Sequence, residues 1–245
     1  MRLSTLLKPV AALALLVGPL SLATAPAATA ADVPTYPTQI VWKMSPPTTR
    51  YQNTFELQAQ VAFTPDNGTT WYQITPGTDE GTVTLQRRMA GTNTWSKIGT
   101  STDPNNADFP GLVARANASY RFVYSGGSYP DATTPSYNYA PSTSTTENLK
   151  VARNLADYGK KANGKLYIKG NVNPGWAHNT VTVQRRTCSS CAWKVYSRVQ
   201  SSGTGAWSAQ VKAPRSGSWY YRAYVPKTTQ FIQSFTNNVY RVYRY

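Results

Sequence analysis

From Thr54 onward the chain alternates apolar and polar residues over short stretches, with Gly, Pro, Asn and Asp between them. A period of two sends successive side chains to opposite faces of a strand, and no helical period is sustained, so the chain is predicted to be all-β. The clearest stretch occurs twice: Thr82, Val83, Thr84, Leu85, Gln86, Arg87 and Arg88 return as Thr180, Val181, Thr182, Val183, Gln184, Arg185 and Arg186. Val83 and Leu85, like Val181 and Val183, are predicted to face a core, with Thr84, Gln86, Thr182 and Gln184 facing water.

The match extends beyond this phrase, which defines a repeated unit. Trp95 corresponds to Trp193, and Tyr120 and Arg121 to Tyr221 and Arg222. Leu57, Ala59, Phe63 and Pro65 align with Leu166, Ile168, Val172 and Pro174. Because Trp95 and Trp193 recur, they are expected in the cores, and Phe109 is expected to take the place of Trp207. Each copy holds about seven short strands, the number of an immunoglobulin-like sandwich. Residues 148–153 align both with the last strand of the chain and with the first strand of copy one. They are therefore expected to end one domain and begin the next with almost no linker. The predicted domains are 31–149 and 150–245.

The order of strand, Thr-Val-Thr-Leu-Gln-Arg-Arg phrase, short turn, Trp and Tyr-Arg strand resembles the immunoglobulin-like repeats of secreted and surface proteins of actinobacteria. The resemblance covers most of the chain after residue 30, although copy one departs from it by two insertions. It implies two tandem immunoglobulin-like β-sandwich domains of extracellular use, often as accessory or spacer modules. Its motif residues are core and hairpin positions, and no catalytic residues come with it.

Arg2 and Lys8 precede an apolar stretch from Val10 to Leu22, and Ala28, Thr29 and Ala30 form a small-x-small cleavage site. Residues 1–30 are thus predicted to be a secretory signal peptide, too short in its apolar part to span a bilayer. The expected location is extracellular. The formal net charge is +15, and losing the leader lowers it by two. Outside the cell such a charge attracts anionic polymers in a salt-dependent way. Lys160, Lys161, Lys165 and Lys169 are the nearest approach to a basic run; elsewhere the charges are scattered and serve solubility.

Cys188 and Cys191 have the spacing of a redox pair, half a zinc site or a local disulfide. Export favours the disulfide. A zinc site would need further ligands, and His178 is the only histidine. A histidine-based triad would depend on that same loop residue. Asp79, Glu80, Asp103 and Asp108 lie in turn-like stretches, where Asp caps backbone, and the stretch 103–108 lacks the spacing and glycine of a calcium loop. No enzyme, cofactor or metal is expected.

Aromatic residues carry more information. Trp71, Tyr72, Tyr137 and Tyr139 have no counterparts in copy two and belong to its two missing insertions, approximately 66–81 and 136–146. In an immunoglobulin-like sandwich those loops meet at one end. The four residues are candidates for a ligand-binding surface there; alternatively the loops fold over their own aromatics as a satellite cluster or an extra hairpin. Trp176, in the equivalent loop of copy two, is expected at the interface between the domains. Arg87 and Arg185 share the inward phase at strand ends and are expected to snorkel over the core edge.

The function expected from these features is a secreted, non-enzymatic binding or adhesion module that engages a cell-wall or anionic polysaccharide through aromatic loops and a basic surface. A structural or protein-interaction role, as an inhibitor or matrix component, is the alternative. Neither a membrane span nor a nucleic-acid partner is expected. Closing so small a loop with a disulfide is worth about 2 kcal/mol. Cys188→Ser should therefore lower the denaturation midpoint modestly and leave the far-ultraviolet circular dichroism of a β-protein; failure to fold at room temperature would make the bridge essential.

Overall fold

The structure is a computed structural model that describes residues 32–75, 79–130 and 136–244. The expected signal peptide lies outside the described residues. Among those residues every regular element is a strand. The chain begins with β1 (Thr35–Tyr36), β2 (Thr38–Ser45), β3 (Thr48–Arg50), β4 (Thr54–Phe63) and β5 (Tyr72–Gln73). Next come β6 (Val83–Met89), β7 (Ser96–Ser101), β8 (Ala107–Val113) and β9 (Ala118–Tyr124). The first repeat closes with β10 (Gly127–Tyr129), β11 (Tyr137–Tyr139), β12 (Ser142–Thr143) and β13 (Glu147–Ala152). The second contains β14 (Asn154–Ala162), β15 (Lys165–Asn173), β16 (Thr180–Arg186), β17 (Lys194–Gln200), β18 (Ala206–Val211), β19 (Gly217–Val225), β20 (Ser234–Phe235) and β21 (Tyr240–Arg244).

Both repeats fold the same way. In the first, β4 lies between β2 and β8, and the other sheet runs β3-β13-β9-β6-β7. In the second, β15 lies between β14 and β18, facing a sheet in which β16 joins β17 to β19, with β20 and β21 on the far side of β19. A small third sheet, β1-β11-β10, is added to the first repeat alone.

The alternating pattern explains the cores. Leu57 and Val61 of β4 meet Val83 and Leu85 of β6 and Phe122 of β9, all at 0 % exposure. In the second repeat Ile168, Val181, Val183, Tyr221 and Ala223 do the same. Trp207 joins that core and stands opposite Gly170, where any Cβ would approach its ring to 3.0 Å. Phe109 instead stands opposite Leu57, the residue aligned with Leu166, whose partner is Val211. The expected equivalence of Phe109 and Trp207 is therefore corrected by the strand register.

Between the repeats, β13 does most of the joining. Its residues Glu147–Leu149 pair with β9, and Lys150–Ala152 pair in parallel with β3. Ala152 then bridges to Ile232, Arg153 N donates to Ser234 Oγ at 2.8 Å, and Asn154 Nδ2 donates to Tyr51 O at 2.7 Å. Arg153 alone separates β13 from β14. Residues 148–153 thus finish the first repeat, while β14 supplies the first strand of the second.

Burial raises the hydroxyl pKa of Tyr120, Tyr124, Tyr221 and Tyr240 above the ordinary 10.0 and pushes Tyr139 up to about 12. The folded chain keeps these protons when the unfolded chain releases them, so the stability they support is complete below pH ~10 and declines as pH rises through the folded values. Urea midpoints should fall from pH ~10 upward, and less steeply in Tyr139→Phe. A midpoint that stays level across that range would refute this.

Candidate functional site

The insertion after β4 is built around Asp66. Thr64, 1 % exposed, donates its hydroxyl proton to Asp66 Oδ1 at 2.7 Å and accepts from Gly68 N at 2.9 Å; Thr70 N donates to the same carboxylate oxygen at 2.9 Å. The Thr64 hydroxyl, followed by the Thr70 amide, holds the Asp66 carboxyl below its usual pKa. Asn67 and Gly68 take positive φ of 56° and 93°, which tightens the turn. The loop presents Trp71 and Tyr72, which are 39 % and 48 % exposed.

The second insertion meets the first through side-chain hydrogen bonds. Tyr139 Oη accepts from Thr75 N at 3.0 Å, and Tyr137 Oη donates to Thr75 Oγ1 at 3.2 Å. Their surroundings separate the four candidates into two pairs. Tyr139 is only 2 % exposed, with the Phe63 ring 5.0 Å away. Tyr137, half-buried, stacks on Tyr129 at 5.1 Å and packs against Tyr36 at 5.2 Å. Tyr137 and Tyr139 thus form a wall that supports the loop, while Tyr72, its ring 5.8 Å from that of Phe63, and Trp71 are the two that stay exposed. Sequence reasoning missed Tyr36 and Tyr129, although both lie outside the matched strands of the repeat and carry the same signal as the others.

A basic and aromatic face occurs in the second repeat. In the β14–β15 hairpin, Tyr158 pairs with Lys169, Lys160 with Tyr167, and Ala162 with Lys165. Cross-strand partners share a face, and Ile168, in the opposite phase, is buried. Tyr158, Lys160, Lys165, Tyr167 and Lys169 therefore lie together on the outer side, with Tyr158 55 % exposed and Lys169 Nζ 5.7 Å from the Tyr167 ring. The lysine run was visible in the sequence. The interleaved tyrosines were detectable from their two-residue spacing.

Trp95 and Trp193 are not core residues. Each is only partly buried and lies between two guanidinium groups: Trp95 between Arg88 at 4.9 Å and Arg121 at 4.3 Å, Trp193 between Arg186 at 4.7 Å and Arg222 at 4.3 Å. The repeated glutamine fixes the second arginine, with Arg121 Nε donating to Gln86 at 2.9 Å and Arg222 Nε to Gln184 at 2.8 Å. A bulge is the physical reason. The register passes from Leu85↔Gly99 to Gln86↔Lys97, and from Val183↔Ser197 to Gln184↔Val195. Skipping one residue sets each Trp opposite the outward Arg88 or Arg186 rather than in the inward phase. Arg185, in the inward phase, packs on Trp219 at 4.1 Å and Tyr196 at 5.3 Å. Arg87 lies beside Tyr120.

Cys188 and Cys191 are bonded at 2.16 Å in the β16–β17 turn. Asp103 spends its carboxylate on the amides of Asn105 at 2.9 Å and Asn106 at 3.0 Å, so it shapes a turn. His178 is exposed in the loop after Trp176, with a positive φ of 54°. Trp176 is 8 % exposed and lies against Arg153 at the join of the repeats. Among the described residues no group of three or more His, Cys, Asp or Glu is arranged to hold a metal ion. No protein-family model matches the chain, and no curated protein matches it.

The division of the aromatic residues is measurable as stability. Tyr139→Ala removes a buried ring and should cost about 3–5 kcal/mol, whereas Trp71→Ala should cost less than about 1 kcal/mol. Similar losses from both in chemical denaturation would contradict the division.

Proposed function

We propose that the protein is a secreted, non-enzymatic binding module in which two tandem immunoglobulin-like β-sandwiches engage an extracellular anionic polymer, of the cell-wall or acidic-polysaccharide class. The observation that carries this reading is the outer face of β14–β15, where Lys160, Lys165 and Lys169 alternate with Tyr158 and Tyr167. Lysines at strand spacing complement a repeating anionic chain, and tyrosine rings offer flat apolar area to sugar rings while keeping a polar edge. Trp71 and Tyr72, exposed on a braced loop, supply a second contact of the same kind. The matching topology of the repeats supports the immunoglobulin-like assignment: three strands face a sheet containing the repeated Gln-Arg-Arg strand. The Cys188–Cys191 bond fits the same extracellular setting.

Retention of the protein on insoluble cell wall and on an acidic polysaccharide resin tests this reading. Binding should weaken steeply between ~50 mM and ~500 mM salt as screening sets in. Tyr158→Ala with Lys165→Ala and Lys169→Ala should lose most retention without losing the fold. Trp71→Ala with Tyr72→Ala should weaken it further with the fold retained by circular dichroism. Retention that ignores all five substitutions would sink the proposal. Stoichiometric capture of one soluble protein would instead favour the structural or protein-interaction role.

A further inference from the structure

Arg153, the one residue between β13 and β14, has a guanidinium with an edge left unanswered. The residue is 5 % exposed. Rings cover its planar group, Trp176 at 4.7 Å and Phe231 at 4.2 Å. Its Nε donates to Pro174 O at 3.2 Å. The neighbouring Nη1 is buried and has no hydrogen-bond partner among the described residues. A guanidinium carries five N–H donors and keeps its charge at neutral pH, so a donor buried without an acceptor is a standing cost. An aromatic ring attracts the charge but accepts no strong hydrogen bond, and the Nη edge still calls for an oxygen.

Arg153 also lines a groove of about 470 Å³ where the repeats meet. One wall is the β6–β7 turn of the first repeat, with Ala90, Gly91 and Thr92; the other is Thr228, Thr229 and Gln230 of the second. Pro174, Trp176 and Phe231 are absent from the lining, so the groove meets Arg153 on the side that these partners leave open. Asn117 braces both walls. Its carbonyl accepts from Ala90 N at 3.0 Å, its backbone N donates to Gln230 O at 2.7 Å, and its Nδ2 donates to Thr229 O at 3.1 Å. A Cβ on Gly91 would stand 3.4 Å from Thr229 Cγ2, which shows how closely the walls approach. Apart from Arg153 the lining is uncharged, and threonine hydroxyls and the Gln230 amide make it polar.

We propose that this groove binds the carboxylate of a single sugar-acid unit, with the Nη edge of Arg153 receiving its two oxygens. The planar fork of a guanidinium matches a planar carboxylate, and one cation matches one negative charge. A phosphate dianion would bring a second charge that no lining residue answers. The threonine and glutamine groups of the walls suit the hydroxyls of a sugar ring, and the groove has the size of a small-molecule site, roughly 300–1,000 Å³. A free sugar acid and the end unit of an acidic polysaccharide share this chemistry. Because the walls belong to different repeats, an occupant spans the join and stabilises it. The site shares no residue with the outer face of β14–β15 and does not rest on the polymer-binding reading.

Calorimetric titration and thermal melting of the intact protein with glucuronate, glucose and sulfate test the proposal. Glucuronate should bind saturably at one site per chain and raise the melting temperature as it saturates. Glucose, which has the ring without the carboxylate, and sulfate at matched ionic strength should each bind at least about tenfold more weakly. Gln230→Glu adds a negative charge to the wall with little change of shape and should weaken glucuronate binding at least about tenfold, with the fold retained by circular dichroism. Arg153→Met should abolish binding; if that variant does not fold, Gln230→Glu decides. Tyr158→Ala with Lys165→Ala and Lys169→Ala, which disables the polymer-binding face, should keep glucuronate affinity within about twofold of the original protein. A glucuronate tetramer that binds as tightly as the monomer identifies a chain end as the source, and one that binds more weakly identifies the free acid. The proposal is overturned by absent or unsaturable glucuronate binding, by equal affinity for glucose or sulfate, or by unchanged affinity in Gln230→Glu.

Discussion

One buried cation, at the residue after β13, ties the cores of the two repeats to each other. Arg153, 5 % exposed, lies between Trp176 at 4.7 Å and Phe231 at 4.2 Å, and its Nε donates to Pro174 O at 3.2 Å. Removing a charge from water costs several kcal/mol, and here burial lowers the arginine pKa. Two desolvated ring contacts of about 2 kcal/mol each offset much of that cost. The rings come from different places in the packing: Phe231 is counted in the core of the first repeat, and Trp176 in that of the second. A single side chain therefore links both cores at the residue that separates β13 from β14. Asn117 secures the same join, its backbone N donating to Gln230 O at 2.7 Å and its side-chain Nδ2 to Thr229 O at 3.1 Å. Relative motion of the repeats would expose Phe231 and strand the guanidinium, so the surfaces of the two halves act from a fixed frame.

Much of this frame was legible in the alternation of residues. Val83, Leu85, Val181 and Val183 are buried where their period puts them, and the insertions of the first repeat do converge. The limits lie where position depends on partners outside the local pattern. Trp95 and Trp193 recur, as core residues do, yet a one-residue bulge turns them outward. There they recur because Arg88, Arg121, Arg186 and Arg222 recur with them. The repeated Gln-Arg-Arg phrase is thus a description of a surface ladder as much as of a core strand. Among the insertion aromatics, Tyr139 and Trp71 look alike in sequence and differ because Tyr139 has Phe63 and Thr75 to pack and bond with. Such contacts join residues 64 or more positions apart, and composition carries no record of them.

Differences between the repeats have a common origin in how each handles its strand edges. A strand edge must be paired, covered or made unattractive to a copy of itself, since its unsatisfied backbone groups invite pairing. The first repeat uses its own chain: Pro46 and Pro47 release Thr48–Arg50 to cover β13, and β1 lines up beside β11. The second, held in a tight hairpin by Asn163 and Gly164, uses charge, with Lys160, Lys161 and Arg241 around β21. On the proposed reading, the same positive charge that keeps identical edges apart would attract an anionic chain across the outer face of β14–β15. Mutual repulsion of identical edges follows from one property, the excess of Lys and Arg over Asp and Glu. The outer sheet face adds a second feature to this charge, the tyrosine rings of Tyr158 and Tyr167. On the proposed reading, selectivity lies in those rings, because charge alone would draw every polyanion.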